Sequence, residues 1–231
     1  MDFSGWEKLS LVDFDDNVTT TLFMAGCNMR CPFCHNSGLV LHPGDAPTIP
    51  WEEIYAYLVK RQGVLDAVCI SGGEPTLMPD LVDKIRQIKD LGYLIKLDSN
   101  GSHPKTLETL YNEGLVDYFA MDIKNRKEKY GLTCGISNID LRPYEESVDF
   151  LIHSGCRHEF RTTAIDEFHK EEDFIAISEW IKGAERYYIQ KYIDSENCIS
   201  HGLHPVSKVN AVKIIERIKP NLASVALRGY D

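Results

Sequence analysis

The sequence predicts an α/β fold of six βα units on three observations, the first of which leaves an open sheet and a barrel undivided and the second of which favours the barrel. Strand-like runs rich in β-branched and apolar residues alternate with amphipathic helical runs, six pairs in series, and parallel strands need crossover helices of this kind. Unusual polar groups fall just after the first three strands and near the ends of the next three, where a βα barrel assembles its active site. The 231 residues are 43% hydrophobic and 26% charged, an ordinary globular balance long enough for one core. One domain over 1–231 is therefore expected.

Val18–Met24 is β-branched and apolar and predicts the first strand. A cysteine-rich loop at 26–36 follows it. Pro50-Trp51-Glu52-Glu53 opens a helix that continues to Arg61, with Ile54, Tyr57 and Leu58 at helical spacing. Ala67–Ser71 is the second strand and runs into Gly72-Gly73; the helix after it, Pro79–Leu91, puts Leu81, Ile85 and Ile88 on one face. Tyr93–Leu97 is the third strand, ending in Asp98-Ser99-Asn100-Gly101, with a helix over Pro104–Asn112. Asp117–Ile123, Glu159–Ala164 and Arg186–Tyr192 are the fourth to sixth strands. Their helices span Tyr144–His153, Glu171–Ile181 and Val206–Ile218, and Ala223–Leu227 predicts a short closing strand.

A formal net charge of −10 repels nucleic-acid phosphates, so no nucleic-acid partner is expected. Met1–Glu7 lacks the basic start and apolar run of a signal peptide. No apolar stretch approaches a bilayer's thickness, so no membrane partner is expected and the expected location is cytoplasmic. In a reducing compartment the seven cysteines are not a disulfide framework. Their distribution is uneven: Cys27, Cys31 and Cys34 sit in one loop, while Cys69, Cys134, Cys156 and Cys198 are scattered.

That loop reads Cys27-Asn28-Met29-Arg30-Cys31-Pro32-Phe33-Cys34-His35-Asn36. Three thiolates at this spacing converge on one centre, and thiolate sulfur suits iron–sulfur clusters and zinc. A 4Fe–4S cube held by three cysteines keeps one iron open, as catalytic metal sites do. Three other readings stand beside it. Structural zinc needs a distant fourth ligand, since His35 adjoins Cys34. A thioredoxin-like Cys31–Cys34 dithiol leaves Cys27 without a role. Haem attachment at Cys31-x-x-Cys34-His35 normally accompanies export.

The ring of polar groups has its own competing readings. Ser71-Gly72-Gly73-Glu74-Pro75 is either a plain turn before a helix or a backbone cradle where glycines admit a ligand. Asp98-Ser99-Asn100-Gly101 is a common turn composition. Asp122 and Lys124 share a strand face and make either an ordinary strand-end salt bridge or part of a site. Arg161 needs an anionic partner, either Asp122 or a ligand carboxylate. Gln190 and Lys191 alternate faces, and the Gln190 amide suits reading adenine or ribose edges. The Cys198–His204 and His153–His158 stretches are loops with incidental His and Cys rather than second metal sites.

The Cx3CxΦC spacing, with Phe33 at the aromatic position, resembles the signature of the radical S-adenosylmethionine (SAM) superfamily. The longer string CNMRCPFCHN is similar to the glycyl-radical-enzyme activases. Gly5–Phe14 resembles the longer activating proteins of anaerobic ribonucleoside-triphosphate reductase. The resemblance covers essentially the whole chain, and its cysteine motif is specific to the superfamily. It implies a partial (βα)6 TIM-like barrel of the radical SAM type and one 4Fe–4S cluster on Cys27, Cys31 and Cys34. It also implies S-adenosyl-L-methionine chelated at the open iron and cleaved by an electron to methionine and a 5′-deoxyadenosyl radical. Gly72-Gly73-Glu74 resembles the superfamily's motif for the SAM amino group, with Glu74 accepting from the ammonium. Asp98 and Asp122 resemble aspartates that, in pyruvate formate-lyase activases, help hold SAM and a monovalent cation, although Ala120-Met121 departs from that segment. Phe33, Ser99, Asn100, Lys124, Arg161 and Gln190 complete the implied cofactor-binding set.

The implied activity is formation of a glycyl radical on a partner enzyme, with anaerobic ribonucleoside-triphosphate reductase the preferred partner. No second cysteine set is present, so the implied electron donor is a separate flavodoxin or ferredoxin. The alternatives are an activase of the pyruvate formate-lyase type and a small-molecule enzyme resembling 7-carboxy-7-deazaguanine synthase. A non-catalytic zinc or iron–sulfur module leaves the polar ring without a purpose.

Overall fold

The computed structural model describes residues 3–230. Its centre is one eight-stranded sheet in sequential order: β1 Gly5–Ser10, β2 Thr19–Met24, β3 Ala67–Gly72, β4 Leu94–Ser99, β5 Tyr118–Asp122, β6 His158–Ala164, β7 Tyr187–Lys191 and β8 Val225–Arg228. Strands β2 to β8 run parallel and β1 is antiparallel to β2. The helices are α1 Ser37–Leu41, α2 Trp51–Lys60, α3 Leu81–Asp90, α4 Pro104–Asn112, α5 Tyr130–Cys134, α6 Arg142–His153, α7 Glu171–Trp180 and α8 Lys208–Ile218. Six of them, α2, α3, α4, α6, α7 and α8, are the crossovers, which gives the expected (βα)6 series with β8 as a closing strand.

The sheet is curled but not closed. Asp15, in the loop after β1, meets Arg228 of β8 at 3.5 Å and Tyr188 of β7 at 3.5 Å. Laid flat, seven strand-to-strand steps would separate the two edges by about 33 Å. β1 and β8 nevertheless remain unpaired edges, so the barrel is partial.

Four elements depart from expectation. β1 was not expected, because GWEKLS has neither alternation nor a buried face; its central residues are exposed and backbone pairing with β2 defines it. Helices α1 and α5 have five residues each, too short to show a helical period. Helix α3 starts at Leu81 and not at Pro79, because Pro75–Leu77 first forms a 3-10 turn.

The apolar core lies between the sheet and the helices. Leu22, Ile70, Ile95, Leu97 and Phe160 from the strands meet Ile54, Leu58, Ile85, Ile88, Leu110, Leu151 and Ile177 from the helices, all fully buried. The barrel interior is instead a polar column. Buried Lys96 lies 3.7 Å from Glu159 and 3.8 Å from Asp98, and Glu159 takes Tyr118 at 3.1 Å and Arg228 at 3.3 Å. Each buried charge is thus paired, as burial requires. Among the described residues no helix is long and apolar enough to cross a membrane.

Candidate active site

A cavity of about 250 Å3 opens at the C-terminal ends of the parallel strands. It is lined by Cys27, Cys31, Phe33, Cys34, Gly72, Gly73, Asp98, Ser99, Asn100, Asp122, Lys124, Arg161 and Gln190. One residue of the expected set, Glu74, is missing from this wall.

The cysteine loop is pinned at its start. Gly26 N donates to Leu39 O at 2.8 Å, and Glu74 N donates to Gly26 O at 2.8 Å. The approach is so close that a Cβ on Gly73 would lie 1.9 Å from Gly26 O; only glycine permits it. Gly72 has φ +112, and its carbonyl accepts from Asn36 Nδ2 at 2.7 Å. The end of β3 and the cysteine loop therefore form one unit. A second brace comes from the β7–α8 connection: Ile199 N donates to Cys34 O at 3.2 Å and Ser200 N to Pro32 O at 2.7 Å. His35 Nε2 lies 2.7 Å from Ile193 O of the same connection.

The three thiols have different surroundings. Burial pushes Cys27 up to about 11, against a hydrogen bond from Met29 N at 3.4 Å. Burial also raises Cys34. Cys31 goes the other way, to about 7, with the buried Cys134 thiol the largest cause. The Lys124 ammonium favours the thiolate at all three. Among the described residues no three His, Cys, Asp or Glu side chains are gathered tightly enough for a single metal ion. The thiols stand around a cavity, which suits a polynuclear cluster better than zinc.

The charged groups form a balanced set. Arg161 Nε pairs with Asp122 Oδ1 at 2.9 Å and its Nη1 with Asp98 Oδ2 at 3.2 Å. Lys124 Nζ holds the other Asp122 oxygen at 2.8 Å. Burial opposes ionisation of Asp122, but Arg161 and Lys124 overcome it and hold the carboxyl down to about 2. Of the two partners weighed for Arg161, the structure supplies Asp122 and adds Asp98. Ser71 Oγ donates to Asp98 Oδ2 at 3.0 Å, while Asp98 Oδ1 is buried without a hydrogen bond.

Glu74 corrects an expectation. Its side chain is 1% exposed and is consumed within the protein. Oε1 accepts from Thr76 N, Thr76 Oγ1 and Ser99 Oγ, and Oε2 accepts from Asn100 N at 2.6 Å. Glu74 is the N-cap of the 3-10 turn at Pro75–Leu77. That turn aims the carboxylate at the Ser99–Asn100 loop, so it orders the cavity wall from behind instead of facing a ligand ammonium. Burial raises its pKa against these bonds.

Phe33 is also largely buried, 4% exposed, with its ring 6.2 Å from Phe168. Gln190 faces the cavity and Lys191 is exposed, as strand alternation predicts. Residues not expected in the wall include His35, Asn36, Ser71 and Thr163. Thr163 lies two residues after Arg161, and the two-residue strand period was a signal for it. Cys134 had no local signal: its approach to Cys31 comes from the fold of α5.

Residues 21–181 match a family model described as the radical SAM superfamily. The Methanocaldococcus jannaschii protein MJ1227, named as a candidate glycyl-radical enzyme activating enzyme, is 35% identical over 193 residues, covering 82% of this chain and 79% of that protein. A domain of pyruvate-formate lyase-activating enzyme from Bacteroides vulgatus superposes with a TM-score of 0.59 at 15% identity, over 71% of this chain and 99% of that one. Streptococcus suis SuiB bound to precursor peptide SuiA gives a TM-score of 0.71 at 14% identity, over 90% of this chain and 48% of that one. The chain thus spans about half the length of SuiB. At these identities the two structures speak for the fold alone.

Proposed function

The chain belongs to the radical SAM superfamily, and from that premise we propose that it activates a glycyl radical enzyme, removing hydrogen from a backbone glycine of that partner. Superfamily membership implies a 4Fe–4S cluster and SAM. The residues present fit both: three thiols around one cavity, and in the same lining two carboxylates, Asp98 and Asp122, paired with Arg161 and with Lys124.

Cys27, Cys31 and Cys34 are the residues that would hold the cluster. When bound, it supplies the electron that breaks a SAM carbon–sulfur bond. The protein's own residues orient and enclose. The Gly72-Gly73 edge offers backbone polar groups where no side chain intrudes. Asp98, Asp122 and Arg161 face the cavity with charges complementary to an amino acid's ammonium and carboxylate. Ser99, Asn100 and Gln190 offer hydroxyl and amide groups for the nucleoside. Lys124 keeps Asp122 ionised and biases the thiols toward thiolate. Glu74 fixes Ser99 and Asn100. A monovalent cation beside the SAM carboxylate belongs to the same proposal.

The observation that carries the activase reading is the 35% identity to MJ1227 over most of both chains. The partial barrel, with its unpaired β1 and β8 edges, favours a macromolecular substrate over an enclosed small one. Anaerobic ribonucleoside-triphosphate reductase is the proposed partner, on the resemblance carried by Gly5–Phe14. A flavodoxin or ferredoxin is the proposed electron donor. The test is electron paramagnetic resonance of the reduced protein mixed with SAM and each candidate glycyl radical enzyme. A glycyl doublet on the reductase, absent with Cys31→Ala, is expected. A doublet on a pyruvate formate-lyase type enzyme alone would move the partner, and silence from every candidate would refute the activase reading.

A further inference from the structure

Four charges inside the barrel form an alternating ring. Residues two apart on a strand share a face, so Lys96 and Asp98 of β4 project together, as do Glu159 and Arg161 of β6. Between the two strands, the register places Ala120 of β5 opposite both Asp98 and Glu159. Its methyl group leaves room for the two cations to reach both carboxylates. Lys96 Nζ lies 3.8 Å from Asp98 Oδ1 and 3.7 Å from Glu159 Oε1. Arg161 Nη1 lies 3.2 Å from Asp98 Oδ2 and 3.9 Å from Glu159 Oε1. Asp98 and Arg161 line the cavity, while Lys96 and Glu159 stand outside its lining.

Glu159 neutralises the hidden half of the ring. Its side chain is 2% exposed. Oε2 accepts from Tyr118 Oη at 3.1 Å, and Oε1 also lies 3.3 Å from Arg228 Nη1 of β8. One oxygen therefore faces three cations. Among the described residues, Lys96 has two carboxylates within reach, Glu159 and Asp98. With Glu159 uncharged, the buried Lys96 ammonium would have Asp98 alone, and a buried charge is costly without a counter-charge. Asp98 Oδ1 is buried without a hydrogen bond, so it is the acceptor Lys96 would take. A charge-assisted bond is about 2.8 Å long, well short of the present 3.8 Å. Lys96 Nζ is tethered to Asp13 O at 2.5 Å, so the carboxylate would move, and Oδ2 would leave Arg161.

We propose that Glu159 is a positioning residue: its carboxylate keeps Lys96 off Asp98 and so leaves Arg161 seated between Asp98 and Asp122, the arrangement that receives the amino-acid end of SAM. Buried charge networks act as units in this way, because each charge fixes its neighbours' partners. The inference rests on the proposed place of Asp98 and Arg161 in the SAM site, and Arg161→Met tests that place separately.

SAM binding to the anaerobically reconstituted, unreduced protein is measured by equilibrium dialysis. Wild type is compared with Arg161→Met, Glu159→Gln and the double variant Glu159→Gln/Lys96→Met, with affinity and number of sites per cluster read together. Glu159→Gln keeps the shape and removes the charge. It should weaken SAM binding about tenfold, an ordinary coupling for neighbours in one network, at an unchanged number of sites. A residue that only held the fold together would instead lose sites at unchanged affinity, and that result would overturn the proposal. Lys96→Met removes the freed cation at similar volume, so the double variant should bind SAM within about threefold of wild type. Unchanged binding in Glu159→Gln would overturn the proposal, and so would a double variant that binds no better than Glu159→Gln. If Glu159→Gln takes up no iron, the double variant decides: affinity within about threefold of wild type upholds the proposal and weaker binding overturns it. A wild type that binds no SAM, or an Arg161→Met protein that binds it as tightly as wild type, would overturn the SAM site itself and this inference with it.

Discussion

Replacing Gly73 by alanine tests whether the end of β3 and the cysteine loop are one mechanical unit. The added Cβ would fall 1.9 Å from Gly26 O and 2.7 Å from Gly26 C, both backbone atoms. Ordinary contact needs about 3.4 Å, so the segments must part by roughly 1.5 Å. That opening breaks the hydrogen bond from Glu74 N to Gly26 O, now 2.8 Å, at about 1 kcal/mol. Residual strain in a packed wall adds about 1–3 kcal/mol, giving a total of about 2–4 kcal/mol. Gly38→Ala is the control: it lies in α1 with nothing within 4 Å of its Cβ, and alanine there should be neutral or stabilising by up to about 1 kcal/mol. Urea unfolding of the reduced apo-protein measures both. Gly73→Ala should lower the midpoint at unchanged slope and reduce iron uptake on reconstitution. A Gly73→Ala protein within about 0.5 kcal/mol of wild type, with full iron content, would refute the reasoning.

Three other outcomes are expected. Arg161→Met removes the guanidinium shared by Asp98 and Asp122; because Asp122 is 30% exposed, the loss should be about 2–3 kcal/mol in denaturant unfolding, not the full cost of a buried orphan charge. Asp122 is held at about 2 against an ordinary 3.8, so its contribution to stability is fully present above about pH 4 and lost as pH falls through about 2. Stability followed by circular dichroism should therefore drop less across that window in Asp122→Asn than in wild type. Asn36→Ala loses the 2.7 Å bond to Gly72 O, and equilibrium unfolding should show a cost of about 1 kcal/mol.

Much of the site was legible because its residues lie where strands end. Gly72-Gly73, Asp98-Ser99-Asn100 and Asp122-Ile123-Lys124 follow largely apolar strand runs, so position along the chain translates into position around the cavity. The cysteine spacing was legible for the same local reason. Direction was harder. Glu74 sits in the right loop, but the turn formed by Pro75–Leu77 aims its carboxylate at Ser99 and Asn100, residues 25 and 26 positions away. Arg161 sits opposite Asp122 in the β5–β6 register and also reaches Asp98 on β4, a relation between three strands that no local run of sequence states. β1 and α5 were illegible because one is set by backbone pairing and the other is a single short helix without a period. With α5 went Cys134, a scattered cysteine in the sequence and a neighbour of Cys31 in the fold.

The most direct test of the account is SAM cleavage by the protein alone. The chain, reconstituted anaerobically with iron and sulfide and reduced with dithionite, is incubated with SAM, and 5′-deoxyadenosine and methionine are quantified. The account predicts both products in equal amounts, with none from Cys31→Ala. A wild-type protein carrying about four irons that yields no 5′-deoxyadenosine would contradict it.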